Sequence, residues 1–276
     1  MSIKLVKAFS NNPEQGNPAG VCLDASGLSD EQMQDIAAEL GFSESAFVFP
    51  SDVADYKVRF FTPTEEVGYC GHATVATYFE LFNLPENTEK TTLTQDTKAG
   101  VFTIEKTSDN KIMMTQRNPE FLETETIEEL CSNLDIEHQV FNQELPIQVV
   151  KCNVYELIVP FATPEKLKNF APESSKIMQH TADKKYHGIY CFAVSEDGEL
   201  YARSFAPEVG IVEDPATGVA AGPLACYADK YIFGGAKKQI NISQGMWMGK
   251  ASSIFVDLSN GVKVGGYATE FGEYKN

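Results

Sequence analysis

The chain is short of basic residues, has no closely spaced cysteines and contains no long apolar run, and each shortage removes a class of function. Lysine and arginine number 22 against 39 aspartates and glutamates, a formal net charge of -17 over 276 residues. Such a surface repels a nucleic-acid backbone unless one face gathers the basic residues, and here they are dispersed along the sequence. An anionic lipid surface is disfavoured for the same reason. The charge does not exclude a small acidic substrate, which is held by local donors and helix ends rather than by the net field. The six cysteines (Cys22, Cys70, Cys131, Cys152, Cys191, Cys226) form no C-x-x-C pair, and no histidine stands at finger-like spacing. Neither a disulfide framework nor a zinc site is therefore expected, and most of the thiols should be buried. No stretch approaches the roughly 18 apolar residues that cross a bilayer, and Met1 to Leu23 lacks the uninterrupted apolar segment of a secretory leader. The expectation is a cytoplasmic protein with no membrane or nucleic-acid partner.

What is present suffices for a large core, since 43% of the residues are hydrophobic, and the length suits two domains of roughly 100 to 150 residues each. Ile3 to Phe9 alternates as a strand, Asn12-Pro13 and Gly16-Asn17-Pro18 read as turns, and Val21 to Leu23 opens a second strand. Ser29 with Gln32 makes a capping box for a helix whose stripe (Met33, Ile36, Ala37, Leu40) stops at Gly41. Strands follow at Ala46 to Phe49 and Tyr56 to Phe61, then a helix from near His72, then strands around Thr92, Phe102 and Met113. The polar stretch from Arg117 to Thr126 reads as a boundary. Beyond it come strands near Gln148 and Tyr155, helical segments after Thr163 and near Ile177, strands near Tyr190 and Tyr201, a helix after Thr217, and late strands around Ile240, Ile254 and Val262. The expected domains are 1-117, joined by the C-terminal strand 262-276, and 118-261.

The order of elements repeats, so an internal duplication is worth seeking. A shift of 144 residues aligns Ser51 to Tyr78 with Ser195 to Gly222 without a gap, matching Ser51/Ser195, Arg59/Arg203, Phe61/Phe205, Pro63/Pro207, Val75/Val219 and Ala76/Ala220. These six identities compare with about two expected by chance. Both copies read as strand, Arg-x-Phe-x-Pro, short loop and small-residue helix start, and in this register Cys70 falls opposite Asp214.

Cys70-Gly71-His72-Ala73-Thr74 places a thiol, a glycine and an imidazole where a loop enters a helix, so the N-H groups of the first turn point outward and favour an anion. Asp214-Pro215-Ala216-Thr217-Gly218 repeats the arrangement with a carboxylate in the thiol's place, a proline suited to a first helical turn, and a glycine that lets a ligand approach the backbone. Each residue also has a plainer reading: Cys70 as filler, His72 as a structural bridge, Asp214 as an N-cap. Glu44, at a strand edge between apolar neighbours, would have its pKa raised by burial toward the range useful for proton transfer, or it is a solvated edge residue. Glu65, Glu66 and Glu208 are expected to face solvent.

At these residues the chain resembles the PhzF family of phenazine-biosynthesis isomerases and their relatives, which share the diaminopimelate epimerase fold. The resemblance runs over nearly the whole length: Val6-Lys7-Ala8-Phe9 with Gly16-Asn17-Pro18-Ala19-Gly20-Val21, Ser43-Glu44-Ser45-Ala46-Phe47-Val48, Arg59-Phe60-Phe61-Thr62-Pro63, Cys70-Gly71-His72-Ala73-Thr74, Glu213-Asp214-Pro215-Ala216-Thr217-Gly218, Ser243-Gln244-Gly245 and Met248-Gly249-Lys250-Ala251-Ser252-Ser253. It implies an α+β fold of two pseudo-symmetric halves, each a curved, mostly antiparallel sheet around a central helix, joined across an active-site cleft and usually paired as a homodimer. It further implies conversion of trans-2,3-dihydro-3-hydroxyanthranilate, or another small carboxylate, by a proton shift. Carried over, Glu44 is the acid/base, His72 and Asp214 complete the catalytic set by binding and polarising the substrate, and Cys70, Gly71, Thr217, Gly218 and Val219 line its binding site, with backbone N-H groups on the carboxylate. No metal, nicotinamide or pyridoxal is implied.

Two departures stand out. Val219 occupies the position after Gly218 where the phenazine enzyme has a substrate-contacting serine, which removes one hydrogen bond. The amino-acid epimerases of this fold use two opposed thiols, whereas here Cys70 is matched with Asp214. The alternatives kept open are an epimerase or racemase using Cys70 and Asp214, and a non-catalytic ligand-binding relative.

Overall fold

A computed structural model describes residues 2-182, 184 and 186-275. The elements are, in order, β1 (Ser2–Ala8), β2 (Asn17–Cys22), α1 (Asp30–Leu40), β3 (Glu44–Phe49), β4 (Tyr56–Phe61), β5 (Glu66–Val67), α2 (Gly71–Phe82), β6 (Thr92–Thr97), β7 (Gly100–Lys106) and β8 (Ile112–Gln116). They continue with β9 (Glu120–Glu125), α3 (Ile127–Leu134), β10 (Ile147–Lys151), β11 (Tyr155–Pro160), α4 (Pro164–Lys168), α5 (Ser174–Ala182), β12 (Gly188–Val194) and β13 (Leu200–Ala206). The last are β14 (Ile211–Asp214), α6 (Gly218–Tyr231), β15 (Gln239–Gln244), β16 (Ser252–Asp257), β17 (Val262–Gly266) and β18 (Ala268–Lys275). The chain forms two compact units, Met1–Thr115 with Val264–Asn276, and Gln116–Lys263.

In the first unit β1 lies between β18 and β2, both antiparallel; β2 runs parallel to β3, β3 antiparallel to β4, and β4 parallel to β6, which continues antiparallel to β7 and β8. Side chains alternate across these strands. Phe47 and Phe61 join Ile3, Met33, Ile36 and Ala37 in an apolar cluster under α1, while Glu44 and Ala46 take the opposite face. Helix α1 starts and stops as its sequence dictates: Ser29 and Gln32 form the capping box, and Gly41 closes it at φ 64°. Helix α2 is buried along almost its whole length, which is why its sequence is small and apolar on every side.

The second unit repeats the plan. β9 pairs with β10, β10 with β11 and β12 with β13, all antiparallel; β11 runs parallel to β12 and β13 to β15, which pairs with β16. Leu157, Val159 and Phe161 face Leu130, Leu134, Leu167 and Ile177 of the three outer helices. The other face of the sheet meets α6, where Phe192 and Tyr227 pack edge to face at 5.5 Å.

Three local features refine the sequence reading. β2 begins at Asn17 rather than after the Gly16-Asn17-Pro18 segment, because only Gly16 turns, at φ 86°, and Pro18 sits in a ladder that Ala19 to Cys22 carry with β3. The units part at Thr115 and Gln116, just ahead of the polar stretch 117-126, and within that stretch β9 pairs with β10. Helix α3, capped by Thr126, follows it and was not foreseen in the sequence.

Candidate active site

Strand β3 opens on Glu44, and its parallel neighbour β2 offers only Ala19 opposite it. Helix α2 begins at Gly71 with Cys70 as the N-cap, in extended conformation and making no side-chain capping bond. The turn before it is pinned by Tyr69, whose hydroxyl donates to Met114 Sδ at 3.1 Å and whose ring packs on Phe102. Thr74 donates to the Cys70 carbonyl at 2.7 Å and in turn accepts from Gln95. Cys70 and His72 are thus set by backbone and side-chain bonds behind them.

The two flank one carboxyl. His72 Nε2 stands 3.6 Å from Glu44 Oε2 and 3.4 Å from Ser43 Oγ, while Nδ1 faces Cys70 Sγ at 3.4 Å. The Glu44 side chain is only 13% exposed. Burial pushes its pKa up from the usual 4.5, and the Ser43 hydroxyl and Cys70 thiol, which bond the carboxylate, partly offset that rise. A carboxyl raised in this way is better suited than a solvated one to taking and giving a proton in turn. The ligating atoms of Glu44, Cys70 and His72 lie within 4.8 Å of one another. The carboxyl and the thiol stand nearest to different nitrogens of the ring, Nε2 and Nδ1.

In the second unit, the polarity of a buried chain of bonds fixes Asp214. Tyr190 donates to Gln244 Oε1 at 2.7 Å, which also accepts from Thr217 N at 3.1 Å. Gln244 Nε2 donates to Asp214 O and to Thr217 Oγ1, at 2.7 and 2.9 Å. The Thr217 hydroxyl, its acceptor side in use, donates to Asp214 Oδ2 at 2.6 Å. Oδ2 is therefore an acceptor, and any proton on Asp214 resides on Oδ1. Burial, with the charges of Glu156 and Asp214, holds the Tyr190 phenol well above its ordinary range, so it stays a donor.

The N-cap of α6 is Thr217, not Asp214, and Thr217 makes no side-chain cap bond because its hydroxyl is committed to Asp214. Pro215 accordingly precedes the helix instead of sitting in its first turn. This changes the internal repeat. Strands β3 and β12 match at a shift of 144, but the helix N-caps Cys70 and Thr217 match at 147, as do the parallel pairings of Gln95 in β6 and Ile242 in β15. Three extra residues in the second loop break the gapless alignment, so Gly71 corresponds to Gly218, His72 to Val219, and Cys70 to Thr217 rather than Asp214. Inside α6, Pro223 cannot donate to the Val219 carbonyl, and Gln116 Nε2 reaches it and the Gly218 carbonyl at 3.5 and 3.0 Å instead.

The solvent-facing expectation for Glu66 is overturned: it is 13% exposed and forked by Arg59 at 2.8 and 2.7 Å, which holds its pKa down at about 2. Glu65 and Glu208 are exposed. Gln244, Tyr190 and Ser43 were assigned no role from the sequence, although Gln244 and Ser43 lay within motifs. Glu156 was also missed: it is completely buried in β11 beside Gly188, and neither of its oxygens has a partner among the described residues. Cavities of about 430 and 420 Å³ on the outer helices are lined by His180 and Lys184 and by Leu134 and Phe170 respectively, away from all these residues.

The sequence pattern of the phenazine biosynthesis-like proteins matches residues 6–273. The chain belongs to the PhzF family. It is 38% identical to an uncharacterized isomerase of Clostridium acetobutylicum over 80% of this chain and 77% of that protein. It is 31% identical to the trans-2,3-dihydro-3-hydroxyanthranilate isomerase of Pseudomonas aeruginosa over 98% of this chain and 96% of that one. A PhzF-family structure from Bacillus anthracis superposes with a TM-score of 0.89 at 29% identity, covering 99% and 98% of the two chains. A hydroxyproline epimerase from Agrobacterium vitis shares the fold, with a TM-score of 0.62 at 10% identity, covering 99% and 90%. The PhzF fold seen here is accordingly the epimerase-like α+β fold, and the relatives' names support an isomerase. Among the described residues, no helix is long and apolar enough to cross a membrane.

Proposed function

We propose that this PhzF-family isomerase shifts a proton or double bond within a small carboxylate substrate, by acid/base catalysis that uses no organic cofactor or metal. Glu44 is the proton carrier. The observation that supports this most is the setting of Glu44: a carboxyl mostly buried, raised in pKa, and bracketed by His72, Ser43 and Cys70. His72 polarises the substrate and orients Glu44, Cys70 tunes both, and the uncapped first turn at Gly71 offers its N-H to an anionic group. In the second unit Asp214 accepts from a substrate donor while Thr217 fixes its orientation, and the N-H groups of Gly218 and Val219 offer a second anion seat at the start of α6. Val219 offers no hydroxyl, so the substrate lacks the polar group that a serine there would bind.

The test is a panel of unsaturated, amino and hydroxy carboxylates, with trans-2,3-dihydro-3-hydroxyanthranilate among them, followed for turnover by the native chain and by Glu44→Gln. A positioned acid/base contributes about 10²- to 10⁴-fold, so the variant should lose that much while keeping its circular dichroism and its affinity. Full turnover by Glu44→Gln would overturn the assignment. The epimerase alternative predicts loss of chirality at an α-carbon without movement of a double bond. The match of Cys70 with Thr217 weakens it, since no second thiol stands at the corresponding N-cap.

A further inference from the structure

The Arg-x-Phe motif that first exposed the internal repeat builds the same object in each unit. In the first, Arg59 lies over the Phe61 ring at 5.2 Å and grips Glu66 with two parallel bonds, Nε to Oε1 at 2.8 Å and Nη2 to Oε2 at 2.7 Å. In the second, Arg203 lies over the Phe205 ring at 4.9 Å and grips Glu213 through the same two nitrogens, both at 2.8 Å. The arginines correspond at a shift of 144 and the glutamates at 147, so the fork spans the point where the three extra residues enter. Both forks are mostly buried, with side-chain exposures of 19% and 13% in one and 11% and 18% in the other.

Each fork holds a strand too short to hold itself. β5 has two residues and β14 has four, and the β14 pairing slips register between Ser204 and Ala206. Glu66 lies four residues before Cys70, and Glu213 immediately before Asp214. The remaining nitrogen of each arginine ties the fork to a different helix end: Arg59 Nη1 to Asp30 at the start of α1, and Arg203 Nη1 to the carbonyls of Leu167 and Phe170 at the end of α4. A bidentate guanidinium fixes both distance and angle, which a lysine cannot reproduce.

We propose that Arg59 and Arg203 are positioning residues, each fork holding in place the short strand that delivers the candidate residues of its unit, Cys70 and His72 in the first and Asp214 and Thr217 in the second. The inference rests on the reading of those residues given above, but its test needs no substrate. Amide hydrogen exchange is measured on the full chain and on Arg203→Lys and Arg59→Lys, with Glu213→Gln and Glu66→Gln as the milder variants if either lysine form fails to fold. Arg203→Lys should raise exchange about tenfold or more in residues 211-219 and leave 66-74 and β12 unchanged, because opening free energies are local. Arg59→Lys should do the reverse. Unchanged exchange in the named segments, or an even rise throughout a unit, would refute positioning; neither result would bear on Glu44, whose variant is judged by turnover alone.

Discussion

His72 shows how one side chain can be set from both edges of its ring, which meets Cys70 at 3.4 Å on one side and Ser43 and Glu44 at 3.4 and 3.6 Å on the other. Asp214 is the contrary case, fixed by a short bond from the Thr217 hydroxyl, which itself accepts from Gln244. Thr217→Val keeps the shape, but leaves Gln244 Nε2 one acceptor fewer and Asp214 Oδ2 without this donor. Denaturant titration should show a loss of about 1–3 kcal/mol, the cost of unpaired buried polar groups. A loss of a few tenths would mean that the chain of bonds does not order Asp214. Glu44 was legible as a candidate from its apolar neighbours; its exposure was not, because only the folded α2 shows what covers it.

Elements were read well where periodicity or caps carried the signal. The capping box of α1, the limits of β4, and the strands β6, β7 and β8 all follow from residues that satisfy local bonds. Reading failed where pairing rather than sequence makes the element. β9 has no fully buried residue and exists through β10; β5 and β14 are too short to show alternation. The start of α6 after Thr217 was read correctly, and only the plainer reading of Asp214 as its N-cap fails, because Thr217 holds that place. The loop ahead of α6 is braced by the turn after β15, where Gly245 sits at φ 76° and a Cβ would stand 2.5 Å from the Pro215 carbonyl. Gly245→Ala therefore meets a left-handed backbone and two carbonyls, of Pro215 and Lys250, each 2.5 Å from the added Cβ, and should cost more than about 2 kcal/mol. Gly249→Ala, at φ 69° with open space around it, is the comparison and should cost only the backbone part, roughly 1–2 kcal/mol. Equal losses in denaturant titration would contradict the contact with Pro215.

Across the molecule, the acidic balance is distributed rather than neutralised, and among the buried carboxyls Glu156 has no partner on either oxygen among the described residues. Burial raises the pKa of Glu156 to about 8 from 4.5, so the folded chain binds this proton more tightly than the unfolded one. Its contribution to stability is complete below pH 4.5 and is lost as pH rises toward 8, by an amount on the order of 4 kcal/mol. Glu156→Gln should abolish that part of the decline, flattening the melting temperature between pH 5 and 9; an unaltered pH profile would place the proton elsewhere. The central claim concerns the carboxyl of Glu44. Its most direct test is the isotope content of product formed in deuterated water from whichever carboxylate the native chain converts, compared with the same incubation using Glu44→Gln. The account predicts deuterium at the carbon that gains the proton with the native chain, and unlabelled, unconverted substrate with the variant. Labelled product from Glu44→Gln at the native rate would contradict it.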